Sequence, residues 1–565
     1  GGAIYNEGSV SLGGDPASGG GAGKQNTVTF TGNSAADGGA IYNSGNLDVK
    51  QSIFNGNTAT NSGGAVYNNN TATFTNTSFS GNKSSNGNGG AIYNGTNGVI
   101  ETLTATFQNN SAGKDGGAIY NDGTLNNITN SNFTGNNAVT NGEASTTGNG
   151  GAIYNASGKT INITNNSFSV NKAGEAGGAV YNAGTITISG NTFNGNSASK
   201  GGAVYNNDTL NIAENTFEAN SADFGGALYN SASGKISAIQ GTFNANTAVS
   251  DGGALYNIGS INTIGGSFTN NKAANKGGAV YNTGKLDKIA NALFSSNSTT
   301  ADNGMGGAIY NSQASNKLTV EETNFNSNKS ANGGAIATDG ALDITNSTFT
   351  QNSASGNGGA IYNIKNTTNI NSSTFTSNSA VNGGAVANDS TINISNSKFN
   401  DNSASANGGA VYNKGNLTVT DSEFTNNSAV KGGAIYSEGG TVNINAQNKN
   451  ITFSGNTAEK GGDIYLNNST LNLNATEGKN IAFNGGIAGQ GTINASGTIL
   501  LNGAVTPDGG NLAFNLNSGV IKSSVDNYLD GTDLKLAEGT TLDLINNKTG
   551  SLNLNSLTSN NANLK

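Results

Sequence analysis

Residues 38–43 read Gly-Gly-Ala-Ile-Tyr-Asn, and the same six residues return at 116–121 and at 150–155. In looser form, Gly-Gly followed by a small residue and an aliphatic begins at residues 1, 38, 63, 89, 116, 150, 177, 201, 225, 252, 277, 306, 333, 358, 383, 408, 432 and 461. Most of these eighteen copies stand 24 to 29 residues apart. Between them runs a second phrase, Phe-x-x-Asn, seen at Phe30–Asn33, Phe54–Asn57, Phe79–Asn82 and onward to Phe453–Asn456. Its last version, at 483–486, ends in Gly486 and has lost the Asn. Self-similarity at a fixed period is the mark of an array of one supersecondary unit.

Composition agrees. By length, 565 residues suggest three or four domains, but usage is too narrow for unrelated domains: 86 glycines, two prolines, one methionine and no cysteine, tryptophan or histidine. All 25 basic residues are lysine. Hydrophobic residues make up only 33 %, yet they recur regularly, unlike those of a disordered polar chain. A net charge of −9 is mild and scattered, with no basic patch to follow a phosphate backbone, so nucleic acid is not an expected partner. No run of 18 apolar residues exists to span a bilayer as a helix. The first residues already lie inside a repeat with no initiating Met, so a longer gene product is expected.

The unit itself is built of strands. Asn, Gly, Ser and Thr dominate, and no Ala- or Leu-rich stretch supports helix. Short alternating runs occur instead, such as 47–49 (LDV), 186–189 (ITIS) and 417–420 (LTVT), punctuated by Asn and Gly. Three short strands and three turns fill about 25 residues, one coil of a parallel β-helix. The expected fold is all-β, a right-handed parallel β-helix of about 18–24 coils. Residues 1–465 form the regular repeat; residues 466–565, with plainer strands such as 471–474, 512–517, 541–546 and 551–555, are expected to continue as irregular coils or a transition segment. A lone coil buries too little to offset the entropy of ordering it, so neighbours must share core and hydrogen bonds. Insertions at 12–26, 137–149 and 299–305 break the period, and the last two are placed to bulge from one corner.

The residue after Gly-Gly-Ala is Ile, Val or Leu in every copy, as at Ile41, Val66 and Leu228, which predicts burial. Phe54, Phe193 and their equivalents join that core; Asn43 and Asn57 are expected to stack as amide ladders, and the glycine pairs to supply positive φ at a corner. Alternation then turns the next residue outward. This slot holds Tyr42, Tyr67, Tyr93, Tyr120, Tyr154, Tyr181, Tyr205, Tyr229, Tyr256, Tyr281, Tyr310, Tyr362, Tyr412 and Tyr436. One reading is a stacking ladder that stiffens the array; a sharper one is an exposed aromatic strip that binds a ligand; the opposite facing, with tyrosine buried, also fits the pattern. Tyr528 alone stands outside the slot, if Tyr5 and Tyr465 are counted in it.

Gly-Gly-Ala-(Ile/Leu/Val) paired with Phe-x-x-Asn, over residues 1 to about 486, resembles the passenger regions of polymorphic outer membrane proteins of the chlamydial type and related autotransporter adhesins. The resemblance implies an extracellular β-helical stalk, carried through the outer membrane by a C-terminal β-barrel and used in attachment to cells. It assigns adhesion to these two motifs, here for instance Gly116–Ile119 with Phe107–Asn110. No barrel lies within these residues, and chlamydial members are often rich in cysteine, which this chain lacks.

Chemistry is sparse. β-Helical polysaccharide lyases and hydrolases use Arg, Lys or His beside clustered acids, and neither Arg nor His is present. Zinc would need His or Cys. Glu321 and Glu322 are adjacent and so point to opposite faces of a strand. Asp526, Asp530 and Asp533 form the densest acidic cluster, but their spacing misses the EF-hand loop. Sequons such as Asn165-Asn166-Ser167 follow from composition. The expectation is a surface-displayed adhesin or adhesin stalk making multivalent contacts, without catalysis, cofactor or metal. Its expected partners are a host-cell surface protein or glycan, with self-association a further option and the outer membrane reached only through a domain outside these residues. A purely structural rod and a polysaccharide-degrading enzyme are the rivals.

Overall fold

The computed structural model describes residues 1–14, 27–139, 147–312, 317–543 and 552–565. Contacts group them into two units, Gly1–Ala274 with Gly278–Leu286, and Asn275–Gly277 with Asp287–Lys565. Each is a parallel β-solenoid; together they hold about 21 turns, without helix among the described residues.

One coil of the first unit shows the plan. Strands Val180–Asn182, Thr185–Ser189 and Thr192–Asn194 pair in parallel with the same elements 24 residues on, Val180 opposite Val204, Ile186 opposite Leu210 and Phe193 opposite Phe217. Alternation buries Val180, Ile186, Ile188 and Phe193 completely and leaves Thr185, Thr187 and Ser189 half-exposed. Like stacks on like: Phe168, Phe193 and Phe217 lie ring on ring at 4.8 Å. A short strand that the alternation pattern did not announce follows most of the Phe-x-x-Asn phrases, and Ser34–Ala35, Thr58–Ala59, Lys83–Ser84, Ser111–Ala112, Asn137–Ala138 and Lys172–Ala173 make a narrow sheet of their own.

Two long inner asparagine ladders hold the turns, with a shorter third one from Asn166 through Asn191 to Asn215. Asn182 donates from Nδ2 to Asn206 Oδ1 and to the Thr209 carbonyl, both at 2.9 Å, and accepts the Gly184 amide. Asn196 donates to Asn220 Oδ1 (2.9 Å) and the Phe168 carbonyl (3.0 Å), while its own amide nitrogen donates to Asn220 Oδ1. Both side chains are buried, and the ladder satisfies donors and acceptors that would otherwise be stranded.

The glycine pair divides two duties. Gly201 takes φ +62°, whereas Gly202 is required for space: a Cβ there would lie 2.1 Å from the Gly226 carbonyl oxygen of the next coil. Only the first of the pair therefore meets the positive-φ expectation.

Period breaks fall partly outside the described residues: 15–26 of the first insertion, 140–146 of the second, and 544–551 among the late predicted strands. At 299–305, Ser298–Thr299 leads into a turn closed by the Gly304 amide on the Ala301 carbonyl (2.9 Å). Past residue 466 the coils continue with longer, fused strands, Ile464–Ala475 pairing with Ile487–Leu501 and that with Val505–Ser523. Tyr528 is buried there, its hydroxyl unpaired.

Candidate binding surface

In each Ile/Val-Tyr-Asn strand the first and third side chains enter the core, so the tyrosine must point out. In the first unit this places Tyr5, Tyr42, Tyr67 and so on to Tyr281 in one column. Their rings stack nearly parallel, Tyr42 on Tyr67 at 4.8 Å and 6°, Tyr154 on Tyr181 at 4.8 Å and 4°, Tyr256 on Tyr281 at 4.5 Å. Rings at this spacing cover one another's faces. Only Tyr5 is exposed, at 62 %. Tyr42, Tyr67, Tyr93, Tyr120, Tyr154, Tyr181, Tyr205, Tyr256, Tyr281 and Tyr362 are half-buried, and Tyr229, Tyr310, Tyr412 and Tyr436 are buried. The exposed aromatic strip is therefore corrected to an outward column that offers ring edges and hydroxyls. Burial pushes the phenols of Tyr67, Tyr120, Tyr154, Tyr229 and Tyr256 up to about 12, with the neighbouring phenols adding to it.

In the second unit the column is interrupted by Ala337, Ala387 and Ala488, in register with Tyr310, Tyr362 and Tyr465. Acids of nearby turns take the hydroxyls: Tyr310 donates to Asp339 Oδ2 and Tyr362 to Asp389 Oδ2, each at 2.6 Å, Tyr412 to Glu438, and Tyr465 to Asp508 Oδ2 at 2.8 Å. Lysines cover rings as well, Lys276 over Tyr310 at 4.4 Å and Lys431 over Tyr465 at 4.8 Å. The sequence carries a signal for these acids that alternation does not use: two of the three coils with Ala in the tyrosine column have Asp two residues later, Ala337 with Asp339 and Ala387 with Asp389.

The acidic candidates separate. Glu321 pairs with Lys288, and Asp533 accepts from Asn555, Ser556 and Asn511. Among the described residues no group of three or more acidic side chains could hold a metal ion.

Registered phrases, stacked rings and paired amides define a parallel β-solenoid repeat protein. Nine segments match the Chlamydia polymorphic membrane protein repeat, residues 27–44, 51–69, 76–95, 104–122, 192–207, 265–283, 346–364, 396–414 and 421–438, so the chain carries repeats of that type. Each match runs from the Phe-x-x-Asn strand to the tyrosine strand and leaves out the middle strand of the coil, such as Thr391–Ser395 or Asn416–Thr420. No curated protein and no solved structure matches the chain.

Proposed function

We propose that this chain is the passenger of an autotransporter-type surface protein, displayed outside a bacterial outer membrane and attaching to cells through many weak lateral contacts. The observation that carries the reading is the ninefold polymorphic membrane protein repeat, laid out in register on a β-solenoid. Repetition at one pitch multiplies a contact too weak to act alone. Absence of Arg, His and Cys from the chain supports a non-catalytic role.

Beads coated with the purified chain test this on cultured animal cells. Saturable attachment, competed by soluble chain, is the expected result; beads that settle no better than albumin-coated ones would leave the spacer reading in its place. That rival draws support from the covered ring faces, since a column stacked on itself is suited to stiffening. New reducing ends after incubation with polysaccharides would revive the enzyme.

A further inference from the structure

The middle strands of seven consecutive coils in the second unit present an uncharged face, longer than the four-coil run at Asn127, Asn162, Thr187 and Asn211 in the first unit. They are Thr367–Asn371, Thr391–Ser395, Asn416–Thr420, Thr441–Ala446 and the parts of three longer strands paired with them. Their central outward column runs Asn369, Asn393, Thr418, Asn443, Asn472 and Asn494, and ends at Asn515. Thr391, Thr441 and Thr470 stand in the column on one side of it, Ser395, Asn445 and Asn474 in the column on the other. All three columns stay uncharged through the seven coils, and each strand shows water its half-exposed Asn, Thr and Ser.

Neutrality is not imposed by the fold. One step before the field, the same central column holds Asp343, ion-paired to Lys317, and one step beyond it holds Lys535, next to Asp533. Nor is it imposed by the repeat, since these residues lie outside the nine matched segments. Within the field the amides are already aligned: Asn393 donates to Asn369 Oδ1 at 2.9 Å, Asn472 to Asn443 at 2.8 Å, Asn494 to Asn472 at 2.9 Å and Asn515 to Asn494 at 3.0 Å.

We infer that this face binds a neutral, extended polysaccharide. A polyanion or polycation would find no counter-charge there. A folded protein would find neither an aromatic nor an aliphatic anchor, and the field spans only about 550 Å² at ordinary strand spacing and rise, below the ~800 Å² per partner of a stable protein interface. Amides and hydroxyls both donate and accept, as sugar hydroxyls do, and a lattice repeated every ~4.8 Å offers a repetitive polymer many equivalent footholds. This deepens the attachment reading by naming a partner class and a face, and it rests on that reading only for its biological setting.

The test is electrophoresis of the whole chain through native gels containing hydroxyethylcellulose, galactomannan or dextran, with heparin as the anionic comparison. Retardation by at least one neutral polymer, little changed by added salt, is expected. The triple variant Asn393→Lys, Asn443→Lys and Asn494→Lys should lower the apparent affinity at least tenfold. Thr350→Lys, Thr376→Lys and Thr425→Lys, on the next strand of the coil, should leave it unchanged; circular dichroism confirms that both fold. No retardation by any neutral polymer, salt-sensitive retardation by heparin alone, or equal losses in both variants would overturn the proposal. So would sedimentation showing self-association that the first triple variant abolishes, which would assign the face to a second copy. Bead attachment is scored on the same variants: retardation without attachment sinks the surface role and leaves the polysaccharide site standing, and attachment without retardation does the reverse.

Discussion

Val170 occupies a position that most coils give to Gly or Asn. It is the third residue of its Phe-x-x-Asn phrase, where the backbone turns left-handed: φ is +64° at Gly195 in the next coil and +49° at Val170. A β-branched side chain is strained there by about 1–2 kcal/mol. Val170→Gly should recover about 1 kcal/mol locally, read as roughly fivefold slower amide exchange around Asn171. Asp463 is a second local exception, standing where other coils have the Ala of Gly-Gly-Ala. The asparagine ladder ends beside it, because Gly486 replaces the next Asn. Asp463 Oδ1 accepts from Asn456 Nδ2 at 3.0 Å, and Oδ2 accepts from the Gly485 amide at 2.7 Å. Burial outweighs these donors and pushes its carboxyl up to about 7. The folded chain then keeps a proton that the unfolded chain has released above pH 4. Its contribution to stability is therefore greatest below pH 4, declines as pH rises from about 4 to 7, and is flat above. Melting Asp463→Asn beside the parent across that range should show the parent losing more; parallel curves would assign the buried carboxyl no titration.

At the scale of the element, the ladders make each turn dependent on its neighbours. Asn220 accepts from the Asn196 backbone and side chain and donates to the Phe193 carbonyl and to Asn246 Oδ1, all within 3.0 Å. Asn220→Ala strands these buried groups together and should cost about 3 kcal/mol, several times the value of one ordinary hydrogen bond. Thermal melts followed by circular dichroism would register the loss. Phe cores, inward aliphatics and amide ladders were all legible, because strict identity at a fixed period leaves few other causes. The second glycine was harder to read. Gly202 is needed for the carbonyl oxygen of the coil beside it, a neighbour that spacing alone does not place at 2.1 Å.

For the whole chain, stability is a sum of coils and the interfaces between them. Gly177 through Lys200 is one full period, since Gly201 opens the next. Deleting 177–200 should bring Ile153 opposite Val204 and leave the β spectrum and melting midpoint nearly unchanged. Deleting 189–200, half a period, should set polar against apolar rows and cost cooperative folding. A surviving half-coil deletion with an unchanged melt would count against like-on-like registration.

By itself the sequence determined the period, the all-β class, the parallel stacking and the identity of the core rows, since each follows from which residue types recur and how far apart. Tertiary structure alone decided what the outward rows present. Tyrosines that alternation turns to solvent cover one another at about 4.8 Å, or reach Asp339, Asp389 and Asp508 in other turns. Likewise the neutral field exists only because seven middle strands, each unremarkable alone, are laid side by side in register. The physical reason is common to both: burial is a property of one strand's own pattern, but a surface is made by the coil above and the coil below.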